Sequence, residues 1–283
     1  MEVLLPFLLV IIASFFQGSF GLGMKYMEPL RWEAWWIVHV TVAMIIFPIA
    51  WAIISVPNLF QVIANAPTEA VFLGMLFGFL WGVGGILFGK SVPYIGLSLT
   101  YGIVMGLAAS VGSIIPLVQV EGAFSNPATA YVIIAVVVML VGVALTAKAG
   151  IERDKLIGDT NDPSNMNKGI LIAVICGALS ALLNVGFANA TPVALEAEKM
   201  GAITRNSSLA AWIVVLLGAF TMNLGYAVVL LFKNNSWNSF QVHASANAYK
   251  WAILAGLFWF SALGIYGQGS ALMGTMGPII GWP

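Results

Sequence analysis

Eight apolar stretches, each about 20 residues long and free of internal charge, constrain this chain more than any other feature. They fall near residues 4–24, 35–55, 70–89, 94–117, 129–147, 169–190, 208–232 and 251–268. At about 1.5 Å of rise per residue, each is long enough to cross a hydrocarbon layer of roughly 30 Å. Lipid offers no hydrogen bonds, so every backbone N–H and C=O has to be paired within the segment, and such spans are helical. A chain that is 60% apolar and 8% charged, with mean hydropathy +0.98, lacks the polar surface of a water-soluble domain. The expected class is all-α, a polytopic membrane helix bundle.

The first stretch follows Glu2 rather than Lys or Arg and is longer than the apolar core of a signal peptide, so it reads as a retained helix. With 11 basic and 11 acidic residues there is no cationic face to bind nucleic acid. Cys176 is alone, which excludes an internal disulfide and a cysteine-built metal site. The connections after spans 1, 3, 5 and 7 hold Lys25, Arg31, Lys90, Lys148, Arg153, Lys155, Lys168, Lys233 and Lys250, while the other side holds only Lys199 and Arg205. Positive charge stays in the cytoplasm, so the 148–168 loop is expected there and the N-terminus outside.

An internal repeat is visible. Trp81, Gly89 and Gly96 recur as Trp259, Gly267 and Gly274 at an offset of 178, and Trp35 recurs as Trp212 at 177. Gln17-Gly18-Ser19-Phe20 falls opposite Asn184-Val185-Gly186-Phe187 at 167. The expected halves are residues 1–147 and 169–283, joined by a cytoplasmic linker at 148–168. Five spans per half is an odd number, so the second half enters the membrane from the opposite side, an inverted repeat of five plus five. A ninth span is expected to begin near Ala271. Only about 13 residues then remain to Pro283, so one and a half helices of such a bundle are expected beyond this chain. Inverted repeats mark secondary transporters, whose site lies near the midplane.

In span 3, Gly74, Gly78, Gly82, Gly85 and Gly89 share one face and suit close helix packing. Span 4 carries Gly96, Gly102, Gly106, Gly112 and Pro116, and the start of span 9 carries Gly274, Gly277, Pro278, Gly281 and Pro283. Gly/Pro-broken segments at matching places in two halves point to a substrate site. Polar groups inside spans cost free energy unless partnered, so Gln17 and Asn184 are candidates either for binding substrate hydroxyls or for bonding between helices. Trp81, Tyr101, Trp259 and Tyr266 offer apolar ring faces on which a sugar can stack, or serve as packing anchors. Lys25, Glu33 and His39 cluster where span 1 ends and span 2 begins. His39 titrates in the physiological range and Glu33 sits at a helix N-terminus, so these three are the candidates for proton coupling, with capping and a salt bridge as the alternative for Glu33. His243 lies in a polar connection and reads as solvated.

Phe20, Lys25, Trp32-Glu33 and Trp36, then Trp81-Gly82 and Tyr94-Ile95-Gly96-Leu97-Ser98, resemble the L-rhamnose/proton symporter family of the drug/metabolite transporter superfamily. The segment from Lys148 to Lys155 is similar to that family's central loop, and Gly256-Leu257-Phe258-Trp259 with Tyr266 resembles the start of its eighth span. The resemblance implies a ten-helix bundle of two inverted halves that takes up a deoxy sugar with protons. The chain departs from the family pattern at Pro93, where an arginine is usual, at Ala262, where a glutamine is usual, and in having His39.

The function expected is proton-coupled symport of a small sugar, L-rhamnose or a related deoxy sugar, by alternating access. The expected partners are the sugar, the proton and membrane lipid, with homodimerisation left open and no cofactor or metal. Transport of another small metabolite, with or without protons, is the alternative. An integral membrane enzyme is the second one, disfavoured because no acidic or histidine cluster lies within the bilayer. No GxxxxGK[ST] motif for direct ATP drive occurs.

Overall fold

The structure is a computed structural model that describes residues 4–156, 163–243 and 245–282. Among the described residues all regular structure is helical and no strand occurs. Eight helices among the described residues are long and apolar enough to cross a membrane: Leu4–Tyr26, Trp32–Ser55, Thr68–Gly96, Leu99–Gln119, Ala128–Gly150, Met166–Lys199, Thr204–Lys233 and Ala246–Leu272, called spans 1 to 8.

Three boundaries differ from the sequence expectation, each for a physical reason. Spans 3 and 4 run without a loop, and only Gly96, at φ 75° and ψ 163°, breaks the helix between them. The helix runs on through Pro93, and the break comes at Gly96, where a residue without Cβ can take positive φ. Span 6 continues through turns at Ala181 and Ala190 into a short helix, Thr191–Lys199, whose Lys199 donates to Glu196 at 2.9 Å and whose Glu198 accepts from Ser207 at 3.0 Å. Span 8 runs on to Leu272 and a 3-10 turn over Gly274–Met276 follows, with Gly274 at φ 66°, so the next α-helix starts at Gly277 rather than near Ala271.

Prolines shape span 2. Pro48 has no N–H to give the carbonyl one turn back, and the chain answers with a π turn over Val42–Ile46 between two α-helical segments, Trp32–Thr41 and Phe47–Ser55.

The chain forms two compact units. The first comprises Met1–Phe79 and Asn189–Gly277, which hold spans 1, 2, 7 and 8, the first part of span 3 and the end of span 6. Span 8 is its hub. A Cβ on Gly23 of span 1 would lie 2.7 Å from the Ala255 Cβ, and one on Gly256 would lie 2.9 Å from the His39 carbonyl oxygen of span 2. Lipid tails are as apolar as leucine, so helices in a membrane associate through such close contact rather than by escape from water. The span 3 stripe works this way over Gly74 and Gly78, which meet span 7. A Cβ on Gly78 would come within 2.0 Å of the Val215 carbonyl oxygen, and one on Gly218 within 1.9 Å of the Met75 carbonyl oxygen. Gly85 and Gly89 have open space instead.

The second unit comprises Leu80–Ala188 and Pro278–Pro283. Its core joins Ile95, Leu99, Ile103 and Val104 to Ala173 and Cys176. Ser91 donates to Thr100 at 3.1 Å from one side of the Gly96 break to the other.

Gly78→Ala and Gly218→Ala are each expected to destabilise the protein by about 1–3 kcal/mol, the usual cost of overpacking. Gly85→Ala, where a Cβ meets nothing within 4 Å, should stay within about 0.5 kcal/mol. Thermal unfolding in detergent reads all three, and equal midpoints for Gly78→Ala and Gly85→Ala would contradict the span 3 to span 7 crossing.

Candidate functional site

Span 2 begins where Arg31 leaves extended backbone at ψ 156° and Trp32 enters the helix. Trp32, Trp35, Trp36 and His39 follow at three- and four-residue spacing, so their rings share one side of the helix. His39 is 1% exposed and enclosed by aromatic rings. Trp35 stacks on it at 5.2 Å between centroids, Trp36 leans on it at 5.0 Å, and Phe20 of span 1 covers it at 6.2 Å. One of its nitrogens hydrogen-bonds the backbone of Ala252 in span 8. The other, Nδ1, is buried with no partner.

Span 7 holds this sheath in place. The Trp36 indole N–H donates to Asn223 Oδ1 at 3.1 Å, and Asn223 Nδ2 donates to the Ala219 carbonyl one turn back at 2.9 Å. Trp32 stacks on Trp36 at 5.1 Å and meets the Tyr226 ring edge-on at 6.3 Å.

Glu33 is 4% exposed in the first turn of span 2. Its Oε1 accepts hydrogen bonds from Ser236 Oγ and from Asn234 Nδ2, the latter at 3.1 Å. Beside it the Arg31 backbone N–H donates to Ser239 Oγ at 2.8 Å. The start of span 2 is therefore anchored to the connection after span 7. The expected proximity of Lys25 is not realised as an ion pair among the described residues: its side chain is exposed, and Glu33 is held by neutral donors.

The remaining predicted residues divide between the units. Gln17 lies in span 1 one turn before Phe20, and its Oε1 is buried without a partner. Trp259 and Tyr266 are buried in span 8, and Tyr266 approaches Trp212 at 6.2 Å. Trp81, Tyr101 and Asn184 belong to the second unit. Tyr101 is 47% exposed and meets Phe88 edge-on, and Trp81 is half-buried.

Asn184 bonds between helices. Its Nδ2 donates to the Gly112 carbonyl at 2.9 Å and to the Pro278 carbonyl at 2.7 Å. The cause is Pro116, which has no N–H for the carbonyl four residues before it. Trp282 Nε1 donates to the Ala108 carbonyl at 3.1 Å, one turn earlier on span 4.

Trp36, Asn223 and the Asn234 to Ser236 turn are the parts the sequence reading missed. Asn223 carried a usable signal, since it is a polar side chain in the middle of an apolar span. Two grooves on the first unit, of about 370 and 330 Å³, are lined by Ile53 to Gln61 and by Phe47, Trp51 and Ile54. Neither includes any predicted site residue. Among the described residues no group of three or more His, Cys, Asp or Glu side chains is placed to hold a metal.

The sequence profile of the L-rhamnose-proton symport protein family matches residues 2–282. The chain belongs to that family. It is 28% identical over 265 residues to the L-rhamnose-proton symporter of Mannheimia succiniciproducens, covering 90% of this chain and 76% of the relative. It is 25% identical over 269 residues to the L-rhamnose-proton symporter of Yersinia pestis, covering 91% and 77%. No solved structure matches. The family is one of transporters, not enzymes, and the resemblance read from Phe20, Trp32-Glu33 and the Tyr94 to Ser98 run agrees with it.

Glu33→Gln keeps an acceptor for Asn234 and Ser236 but loses the charge. Bonds to charged groups contribute about 1.5–3 kcal/mol against about 0.5–1.5 for neutral ones, so a loss of about 1–2 kcal/mol is expected. Glu33→Leu strands both donors and should cost more. Thermal unfolding of the two variants tests this, and a Glu33→Leu protein as stable as wild type would remove the anchoring role.

Proposed function

We propose that this protein is a proton-coupled secondary transporter that takes up L-rhamnose or a related deoxy sugar by alternating access across a bacterial inner membrane. The observation that carries the proposal is the match of the symport family to residues 2–282, nearly the whole chain, rather than to one motif. Eight apolar helices agree with it.

In this reading Gln17, Trp81, Tyr101, Asn184, Trp259 and Tyr266 contribute to the sugar path, and Glu33, His39 and Lys25 to proton coupling. His39 is favoured among the three because a nitrogen able to take a proton is buried without a partner, inside rings whose π faces tolerate a cation. Glu33 is the weaker candidate, since Ser236 and Asn234 already occupy its Oε1. Asn184 takes part by holding the broken segments of spans 4 and 9, through its bonds to Gly112 and Pro278.

The inverted repeat of residues 1–147 and 169–283 about a cytoplasmic 148–168 linker belongs to the same proposal, with the N-terminus outside. Two pairs matched in the sequence support it. Gly96 and Gly274 both have positive φ, 75° and 66°, where one span turns into the next. Trp35 and Trp212 are both fully buried. Rocking of one half against the other around a midplane site is how such repeats move solutes.

The test is the protein in proteoliposomes, with the pH of the outer medium followed as L-rhamnose and related sugars are added. Alkalinisation that depends on L-rhamnose is expected for wild type. His39→Phe, which keeps a ring in the sheath, should lower the sugar-dependent proton flux by about tenfold or more. Correct insertion with no proton flux for any sugar would overturn the symport proposal, and a wild-type flux in His39→Phe would remove the histidine from it.

A further inference from the structure

Two polar atoms with no partner sit on adjacent rings of span 2. Trp35 Nε1 and His39 Nδ1 are both buried and unbonded, on side chains that are 0% and 1% exposed. The residues are one turn apart, and their rings are nearly parallel, 8° between planes and 5.2 Å between centroids. A buried N–H or ring nitrogen left unbonded is unfavourable, and here two such atoms belong to neighbouring, nearly parallel rings.

The chemistry of the pair defines what that is. The bond from His39 to the backbone of Ala252 lies in a helix interior, where the free acceptor is a carbonyl, so that nitrogen carries the ring proton. Nδ1 then presents a lone pair, whereas the indole Nε1 can only donate. A donor and an acceptor on neighbouring rings together match one hydroxyl group, whose oxygen accepts from Trp35 while its hydrogen goes to His39. If Nδ1 gains a proton, the same oxygen still has two lone pairs and accepts from both rings. Gln17 Oε1, a third buried atom without a partner, lies one turn before the Phe20 ring that covers His39, and it can accept from a second hydroxyl. The π turn over Val42–Ile46 begins three residues after His39, and such turns inside α-helices recur at functional sites.

Resting on the transport reading above, we propose that Trp35 Nε1 and His39 Nδ1 bind one hydroxyl of the transported sugar between them, which makes Trp35 a specificity-determining residue. The enclosing rings of Phe20, Trp35 and Trp36 supply apolar faces for the C–H side of the sugar. The pair is closed off in this conformation, and alternating access supplies the opening through which a sugar reaches it.

Uptake into proteoliposomes is measured for L-rhamnose and for a set of L-rhamnose analogues that each lack one hydroxyl, with wild type and with Trp35→Phe. Replacing Trp35 by benzothienylalanine, which exchanges N–H for sulfur at the same ring shape, serves as a second variant that preserves packing. The expected result for both is a KM for L-rhamnose raised by about tenfold, the effect of one lost hydrogen bond. One analogue should show the same KM in wild type and variants, because the hydroxyl that Trp35 would bind is already missing. Variants with wild-type KM for every sugar would overturn the proposal and leave a buried water as the occupant. An equal loss for L-rhamnose and every analogue would also overturn it and make Trp35 a packing residue only. Wild-type protein that moves none of these sugars would remove the transport reading and this proposal with it, an outcome distinct from wild-type uptake that the variants leave unchanged.

Discussion

A proline inside a membrane helix leaves one carbonyl with no donor, and in hydrocarbon there is no water to take the donor's place. Much of this structure follows from meeting that requirement. Asn184 supplies the missing donor to Gly112, four residues before Pro116, and its other amide hydrogen reaches Pro278. Span 2 meets the same demand at Pro48 by local rearrangement, opening a π turn instead of recruiting a side chain. A broken helix that is fully satisfied can therefore be a stable part of a membrane protein, and breaks of this kind let a transporter bend at defined places.

Packing obeys a related logic. The outer surface of a membrane bundle is as apolar as its interior, so burial of apolar area does little to choose which helices meet. Close approach does, and here it rests on positions without side chains. Gly78 and Gly218 let the backbones of spans 3 and 7 touch, and Gly23 and Gly256 bring spans 1 and 2 against span 8. The polar bonds that remain act as locators within this frame. Glu33 and Arg31 fasten the start of span 2 to Asn234, Ser236 and Ser239, and Trp36 fastens its next turn to Asn223. His39 is held by residues of spans 1, 2 and 8 together, so a movement of any one span changes its surroundings. That is a useful property in a group proposed to exchange protons.

The class and number of helices were legible along the chain, because charge-free stretches of this length have one stable form in lipid. So were the Gly/Pro-broken segments, and the family through Phe20, Trp32-Glu33 and the Tyr94 to Ser98 run. Individual roles were less legible. Asn184 could have faced substrate or a neighbouring helix, and the sequence did not show that its Nδ2 donates to the Gly112 and Pro278 carbonyls. Glu33 suggested a salt bridge with Lys25 or Arg31, and its hydrogen bonds come instead from neutral side chains about 200 positions away, with the Arg31 charge acting on it as well. The glycine stripe of span 3 read as one face with one purpose, whereas Gly74 and Gly78 meet span 7 and Gly85 and Gly89 have open space.

By itself, then, the sequence determined the solvent, the helices and the lineage, because these depend on local composition and on the hydrogen bonds a segment makes within itself. Only the tertiary structure decided which polar atoms find partners and which, like Trp35 Nε1, His39 Nδ1 and Gln17 Oε1, are left without one. The reason is that a membrane helix is apolar on every side and does not announce which neighbour it will meet. That choice is made by steric fit between helices far apart in the chain, and a side chain's chemistry acquires its meaning only once the neighbour is in place.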